Sequence, residues 1–490
     1  MSADERVASM QNLMDLDAVA QAGLVARGDV TPTELVEAAA ARIEALNPRL
    51  NAVVVDLLDH GLASAHSGEL PDGPFRGVPF LLKDIGACQA GLPQYRGMRV
   101  LREIGWRCPR DTPLGARFRE AGFVVVGKTN TPELGLLPFT QPYSFGPTRN
   151  PWDLDYSPSG SSGGAAAAVA SGMVAVAHAS DGAGSIRMPA AWSGLVGLKP
   201  SRGRTSPAPM TSRNAAEHVL TRSVRDTAAV LDAVHGPEPG DLYLAPAPAA
   251  SFASRLDTEP EPLRVALVTG VDASGVDTHP ECAAAARAAA ETLGQLGHDV
   301  VERRAGFLFD DVFVDRMERE LACRIRRALT AMEEAHGVPF GADEVEPWTW
   351  ALSERGRGVT AEAFLALAEW QQEYAVRMAR WWEDVDLLVT PATAVPPMTI
   401  EDVALASRDP ERLAQLVRRC WCFAAPFNLT GQPAVSLPLS TTRTKLPIGV
   451  QVVAGFGREE LLLRVARSLE LAAPWERWMM PEGVGRGVGS

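Results

Sequence analysis

The chain has 490 residues, 46% of them hydrophobic and 22% charged, with a formal charge of −13. That length allows two or three domains, or one large α/β domain whose core needs no disulfide or metal to hold it. The acidic balance argues against a nucleic-acid or anionic-membrane surface, and no long run of large apolar residues is present to span a bilayer.

The first residues, MSADERVASM, are charged and lack an apolar stretch, so no signal peptide is expected and the cytoplasm is the expected location. Residues 15–47 read as two helices, the second (TPTELVEAAAARIEALNP) with Thr31 or Thr33 as N-cap and a proline stop. GVPFLLKDI, residues 77–85, is a short apolar strand carrying one lysine, Lys83. DTPLGARFREAGF is a helix and FVVVGKT a buried strand. A serine- and glycine-rich stretch runs from Ser157 to Ala191. It reads as a glycine turn with Ser159, Ser161 and Ser162, an alanine-rich helix, the strand MVAVAHAS, and a second glycine turn ending at Ser185.

SVRDTAAVLDAVHG is another helix, and residues 236–263, rich in proline and alanine, form a long surface connection. LRVALVTG, PECAAAARAAAETLGQLG and HDVVERRA follow in β-α-β order, which favours parallel pairing. Residues 310–383 are mostly helical and carry Trp348, Trp350, Trp370, Trp381 and Trp382, and VDLLVTPA is again a buried strand. The alternation predicts an α/β class: one extended, mostly parallel mixed sheet, covered by helices on both faces, with a helical excursion near 310–383. A single domain over 1–490 is expected, with N-terminal helices at 1–60, a core at 70–235 and the remaining α/β core at 264–475. The six cysteines are scattered with no CxxC, so they are expected as free core thiols, with no metal.

Two motif matches fail on context. GFVVVGKT fits the phosphate-loop pattern, but its middle residues, Phe123 to Val126, are the strand itself. GSSGG, centred on Ser162, fits the nucleophile-elbow pattern, but a polar loop precedes it instead of a strand. His178, in an apolar run, reads as a core residue of its strand.

Lys83 admits two readings. It is a strand-end lysine paired with Asp84 at the surface, or a desolvated lysine whose lowered pKa lets it act as a base without histidine. A helix of about ten residues rises roughly 15 Å and a strand of about five returns a similar distance. The turns at Ser161 and Ser185 can therefore meet at one sheet edge, where Lys83 can join them. The second turn, DGAGS, can aim several backbone N–H groups at one point and leads into a helix start, SIRMPAA, which suits an oxyanion hole.

In GSSGGAAAAVASG, DGAGSIRMPA and GVPFLLKD, and in the spacing of Ser161 from Ser185, the chain resembles the amidase signature hydrolases. GKTNTPELG, GPTRNPWD, GLVGLKPSRGR and PFNLTGQPAVSLP are similar too, and the likeness runs from about residue 15 to about 475. Within the family it looks closest to the branch of 6-aminohexanoate cyclic-dimer hydrolases and other amidases of unnatural amides.

The resemblance implies Ser185 as the nucleophile and Ser161, after a cis peptide bond, as the bridging serine. Lys83 would be the base, and the backbone of Gly182, Ala183, Gly184 and Ser185 the oxyanion hole. Ser162, Asp181 and Arg187 would orient these groups, and Asn130 would touch substrate. It implies no metal and no cofactor. The expected substrate is a small amide or carbamate: an anilide, a nylon-type oligoamide or a urethane. No nucleic-acid or membrane partner is implied, and a homodimer is left open. The competing expectation is a glutamine-hydrolysing subunit of a tRNA-dependent amidotransferase. One departure stands out: the family has Gly-Gly before the nucleophile, and this chain has Ala183-Gly184, which is tolerable only if Ala183 has ordinary dihedrals.

Overall fold

A computed structural model describes residues 13–206, 214–337 and 339–477. Its strands in chain order are β1 (Val53–Asp56), β2 (Pro79–Lys83), β3 (Val124–Thr129), β4 (Val176–Asp181), β5 (Val196–Lys199) and β6 (Ala216–Thr221). They continue as β7 (Arg264–Leu267), β8 (Asp299–Glu302), β9 (Leu387–Pro391), β10 (Ala434–Thr441) and β11 (Pro447–Ala454). All eleven join one sheet in the order β1-β3-β2-β4-β6-β5-β10-β11-β9-β7-β8.

The single mixed sheet agrees with expectation, but the parallel majority does not. Parallel pairs occur only at β3-β2-β4 and β9-β7-β8. The other six pairings are antiparallel. The reason lies in the connections. A helical crossover, such as Pro280–Gln295 between β7 and β8, returns a strand parallel, whereas the tight turn between β10 and β11 forces antiparallel pairing.

Side chains alternate across this sheet, as strand geometry requires. Val435, Leu437, Val450 and Val452 point to one face, under the helices Val224–Val234, Pro280–Gln295 and Glu459–Ala472. Ala434, Val453 and Leu388 point to the other, under Arg187–Ser193 and the helices beyond it. The helical excursion is three helices, Asp311–His336, Pro347–Arg357 and Ala361–Trp381.

Of the two N-terminal helices, Pro32–Leu50 starts at Thr31, which forms a capping box with Glu34. The proline does not stop it. Pro48 lies inside the last turn and the helix ends at Asn51 in the left-handed conformation. The missing N–H removes one bond there, while the Asn47 side chain accepts from the N–H groups of Ala52 and Val53 and secures the exit. Cys88, Cys108, Cys282, Cys420 and Cys422 are buried free thiols, and Cys323 is a half-buried one. No helix among the described residues is long and apolar enough to cross a membrane.

Candidate active site

β2 and β4 are parallel neighbours, so their C-terminal ends, Lys83 and Asp181, emerge at the same sheet edge. The helix Gly163–Ala170 leads into β4, so its N-terminal turn lies at that edge as well. Gly164 is needed there for close approach, because a Cβ on it would sit 2.3 Å from the Asn130 nitrogen. The two serine turns meet through the Ser162 N–H, which donates to the Ser185 carbonyl at 3.3 Å. The Gly160–Ser161 peptide bond is cis.

Lys83 is fully buried, not a surface strand end. Its Nζ lies 2.7 Å from Ser161 Oγ, 2.8 Å from Ser162 Oγ and 3.0 Å from Ser180 Oγ. Burial pulls the amine down to about 7, against the opposing pull of the Glu217 and Asp181 carboxylates. Near neutral pH a large share of Lys83 is therefore a free amine held among three hydroxyls, able to accept a proton from one of them.

Ser185 is half-buried, and among the described residues its hydroxyl makes no hydrogen bond. Ser159, in the same turn as Ser161 by sequence, is committed elsewhere, donating to the Pro138 carbonyl at 3.0 Å.

The turn from Asp181 to Ser185 is organised by a carboxylate. Asp181 accepts from Gly184 N–H at 2.6 Å and Ile186 N–H at 3.2 Å, and it pairs with Arg187 at 2.8 Å. Burial alone would raise its carboxyl, but the Arg187 guanidinium holds it well below the usual carboxylate range. Arg187 in turn donates to Gln451, Asn428 and the Ala424 carbonyl.

This corrects the four-amide oxyanion cradle. The Gly184 N–H is already taken by Asp181, leaving the N–H groups of Gly182, Ala183 and Ser185, for which no acceptor exists among the described residues. Ala183 does not take a positive φ, while Gly184 carries φ +122°, so the position that demands glycine still has it.

Asn130 is buried and its amide is spent on the Gly146 carbonyl and Thr148 Oγ1, which fastens a loop. The expected substrate contact is thus a structural tie, because both amide hydrogens already have acceptors inside the protein. The tryptophans pack in the excursion, with Trp348, Trp370, Trp381 and Trp382 half-buried against the apolar core and Trp350 on a neighbouring cluster. The phosphate-loop match dissolves, since Val124–Thr129 is strand and Lys128 is fully buried. His178 is a core residue, as read. Its Nδ1 accepts from the Lys83 N–H at 3.3 Å, so Nε2 carries the proton and donates to Glu217 at 2.9 Å.

Ser180, Asn428 and Gln451 received no role from the sequence. Ser180 had a signal: it shares a strand face with His178 by the two-residue period. Asn428 had none in local spacing, since it meets Asp181 from 247 positions away. Among the described residues no group of three or more His, Cys, Asp or Glu side chains could hold a metal ion.

Comparison with known proteins gives the family. The Amidase family profile matches residues 34–463. The chain is 42% identical over 471 residues to a 6-aminohexanoate-cyclic-dimer hydrolase of Pseudomonas sp. (strain NK87), covering 94% of this chain and 95% of that one. A solved 6-aminohexanoate cyclic dimer hydrolase complexed with substrate superposes with TM-score 0.90 at 41% identity, over 94% of this chain and 98% of that one. A bacterial aryl acylamidase of the amidase signature family superposes with TM-score 0.84 at 27% identity, over 94% and 96%.

Proposed function

This chain belongs to the amidase family, the amidase signature enzymes, and on that premise we propose that it is a free-standing hydrolase of small apolar carboxamides working through an acyl-enzyme on Ser185. Ser185 Oγ attacks the amide carbonyl while its proton passes to Ser161 Oγ, and the Ser161 proton passes to Lys83 Nζ. The free N–H groups of Gly182, Ala183 and Ser185 hold the oxyanion of the tetrahedral intermediate. Collapse expels the amine, which takes its proton back from Lys83 through Ser161. Water then cleaves the acyl-serine by the same route in reverse.

The observation that carries this reading is the buried Lys83 amine, depressed to about 7 and 2.7 Å from Ser161 Oγ. It supplies a base where the described site has no ionisable histidine to offer: burial keeps His178 neutral, and its acceptor nitrogen faces the Lys83 backbone. Half-buried Leu137, Ala183 and Met398 pack on the same apolar cluster as Met188 and Phe427 beside the nucleophile turn, which favours apolar acyl or amine groups. The named relatives act on a cyclic oligoamide and on aryl amides, and the substrate proposed here is of those kinds, with N-aryl carbamates as a further class presenting a similar carbonyl.

Amine release by the purified chain alone is the test, with an N-aryl amide, a cyclic or linear 6-aminohexanoate oligomer, an N-aryl carbamate and glutamine side by side. Release from any of the first three is expected, abolished by Ser185→Ala with the fold retained. Release from glutamine alone, or from none, sinks the proposal in favour of a partner-dependent amidotransferase subunit.

A further inference from the structure

The nucleophile turn is also tied to the helical excursion. Asn428, in the helix Ala425–Thr430, donates through Nδ2 to the Asp181 carbonyl at 2.8 Å and to Asp181 Oδ1 at 2.9 Å. The same amide group donates to the Asn214 carbonyl at 3.0 Å. The Asn214 side chain then donates to Glu320 Oε2 at 3.0 Å, and that same oxygen accepts from Gln371 Nε2 at 3.0 Å. Glu320 lies on Asp311–His336 and Gln371 on Ala361–Trp381. The latter helix also packs directly on Ala425–Thr430. Asn214, Glu320 and Asn428 are all buried.

We propose that Glu320 is a positioning residue for amide hydrolysis, fixing the turn Asp181–Ser185 from the excursion by way of Asn214 and Asn428. The inference rests on Ser185 being the nucleophile. The Asp181 carbonyl belongs to the peptide whose nitrogen is Gly182 N, one of the free donors of the turn. A chain of buried hydrogen bonds ending there sets where that donor points. Two amide donors converge on one carboxylate oxygen, so the arrangement needs an acceptor at that place more than it needs a charge. Removing the acceptor strands the buried Asn214 amide and leaves the half-buried Gln371 amide without its partner, and the turn and excursion lose their common anchor.

The test reads Ser185 reactivity by intact mass of the full chain during modification with phenylmethylsulfonyl fluoride, the adduct being assigned to Ser185 by its loss in Ser185→Ala. Sulfonylation forms the Ser185 Oγ–S bond, breaks the S–F bond to release fluoride and passes the serine proton through Ser161 to Lys83, and it depends on no choice of amide substrate. Glu320→Ala and Asn214→Ala are each expected to slow modification about tenfold, since small misplacements of a reacting group are costly. The double variant should be no slower than either single one, because both cut the same link. Glu320→Gln, whose amide oxygen can sit where Oε2 sits, should stay within about threefold of the unaltered chain.

Unchanged modification in Glu320→Ala, additive losses in the double variant, or Glu320→Gln as slow as Glu320→Ala each overturns the inference. If Glu320→Ala does not fold, Asn214→Ala and Glu320→Gln still decide: full speed in the first or a large loss in the second overturns it. Absence of modification at Ser185 in the unaltered chain overturns the nucleophile reading, and this inference with it.

Discussion

At Lys83 a single side chain carries the chemistry, and its burial sets when it can act. A protonated lysine has no lone pair to accept the Ser161 proton, so turnover requires the free amine. Because burial lowers the amine to about 7, kcat/KM for an amide substrate should rise with pH through about 7 and level off above it. An ordinary exposed lysine would push that rise to about 10.4. A pH–rate profile on the free enzyme checks this, and a rise centred near 10 would exclude Lys83 as the base. Lys83→Met removes the lone pair while filling much of the same space, and the expected loss is of the order of 10²–10⁴ in kcat. The lysine was visible in the sequence as a polar residue among apolar ones. Its burial was not, because a lysine ending a strand is as often at the surface, and only the packing of Ser161, Ser162 and Ser180 around Nζ decides.

The turn Asp181–Ser185 shows how an element enforces the geometry that its residues need. Gly184 has φ +122°, and a Cβ there would lie 2.7 Å from the Ala424 Cβ and 3.1 Å from Met188. Gly184→Ala is therefore both strained and crowded, and the turn must shift to accept it. A loss of kcat/KM of about 10²-fold is expected, with a lowered thermal midpoint. Ala183→Gly, at an unstrained position, should cost much less in both. Equal losses in the two variants, read by kinetics and thermal melting, would show that the dihedral of residue 184 is not what shapes the site. Sequence reasoning reached the serine turns and the return of helix and strand because these are local. It overcounted the amides, because whether a turn N–H is free depends on where the Asp181 carboxylate folds back, and that depends on Arg187 and on Asn428 far along the chain.

Across the whole molecule, long-range pairing is the part that local pattern could not supply. The βαβ segment at 264–302 announced its parallel pair, but the antiparallel run from β4 to β9 also joins strands that are not chain neighbours: β4 with β6, β5 with β10 and β11 with β9. The same holds for the seat of the helical excursion. Glu346, at the start of Pro347–Arg357, accepts from Tyr143 N–H at 2.7 Å, and its own N–H donates to Glu133 Oε1 at 2.8 Å. Glu133 opens the short turn Glu133–Gly135, where Gly135 leaves only 3.2 Å between a would-be Cβ and Ser161 Oγ. Burial first and the Glu133 carboxylate second raise the Glu346 carboxyl to about 7, against the lowering pull of the Tyr143 N–H. Burial raises Glu133 as well, against Thr349, the Glu346 N–H and Arg99. A carboxyl whose pKa is raised in the folded state holds its proton more tightly there than when released. The seat is therefore firmest below about 4.5, weakens as pH rises toward about 7, and stays weakened above it. Amide protection over residues 339–357, corrected for intrinsic exchange, should be about tenfold lower at pH 8 than at pH 5.5, since one pKa unit corresponds to about 1.4 kcal/mol. Glu346→Gln should shrink that difference to what Glu133 alone contributes while leaving the Lys83-dependent rise in kcat/KM in place, because the variant changes the seat and not the base. Equal protection at both pH values in the unaltered chain would mean that the carboxyl pair does not govern how the excursion rests beside Ser161.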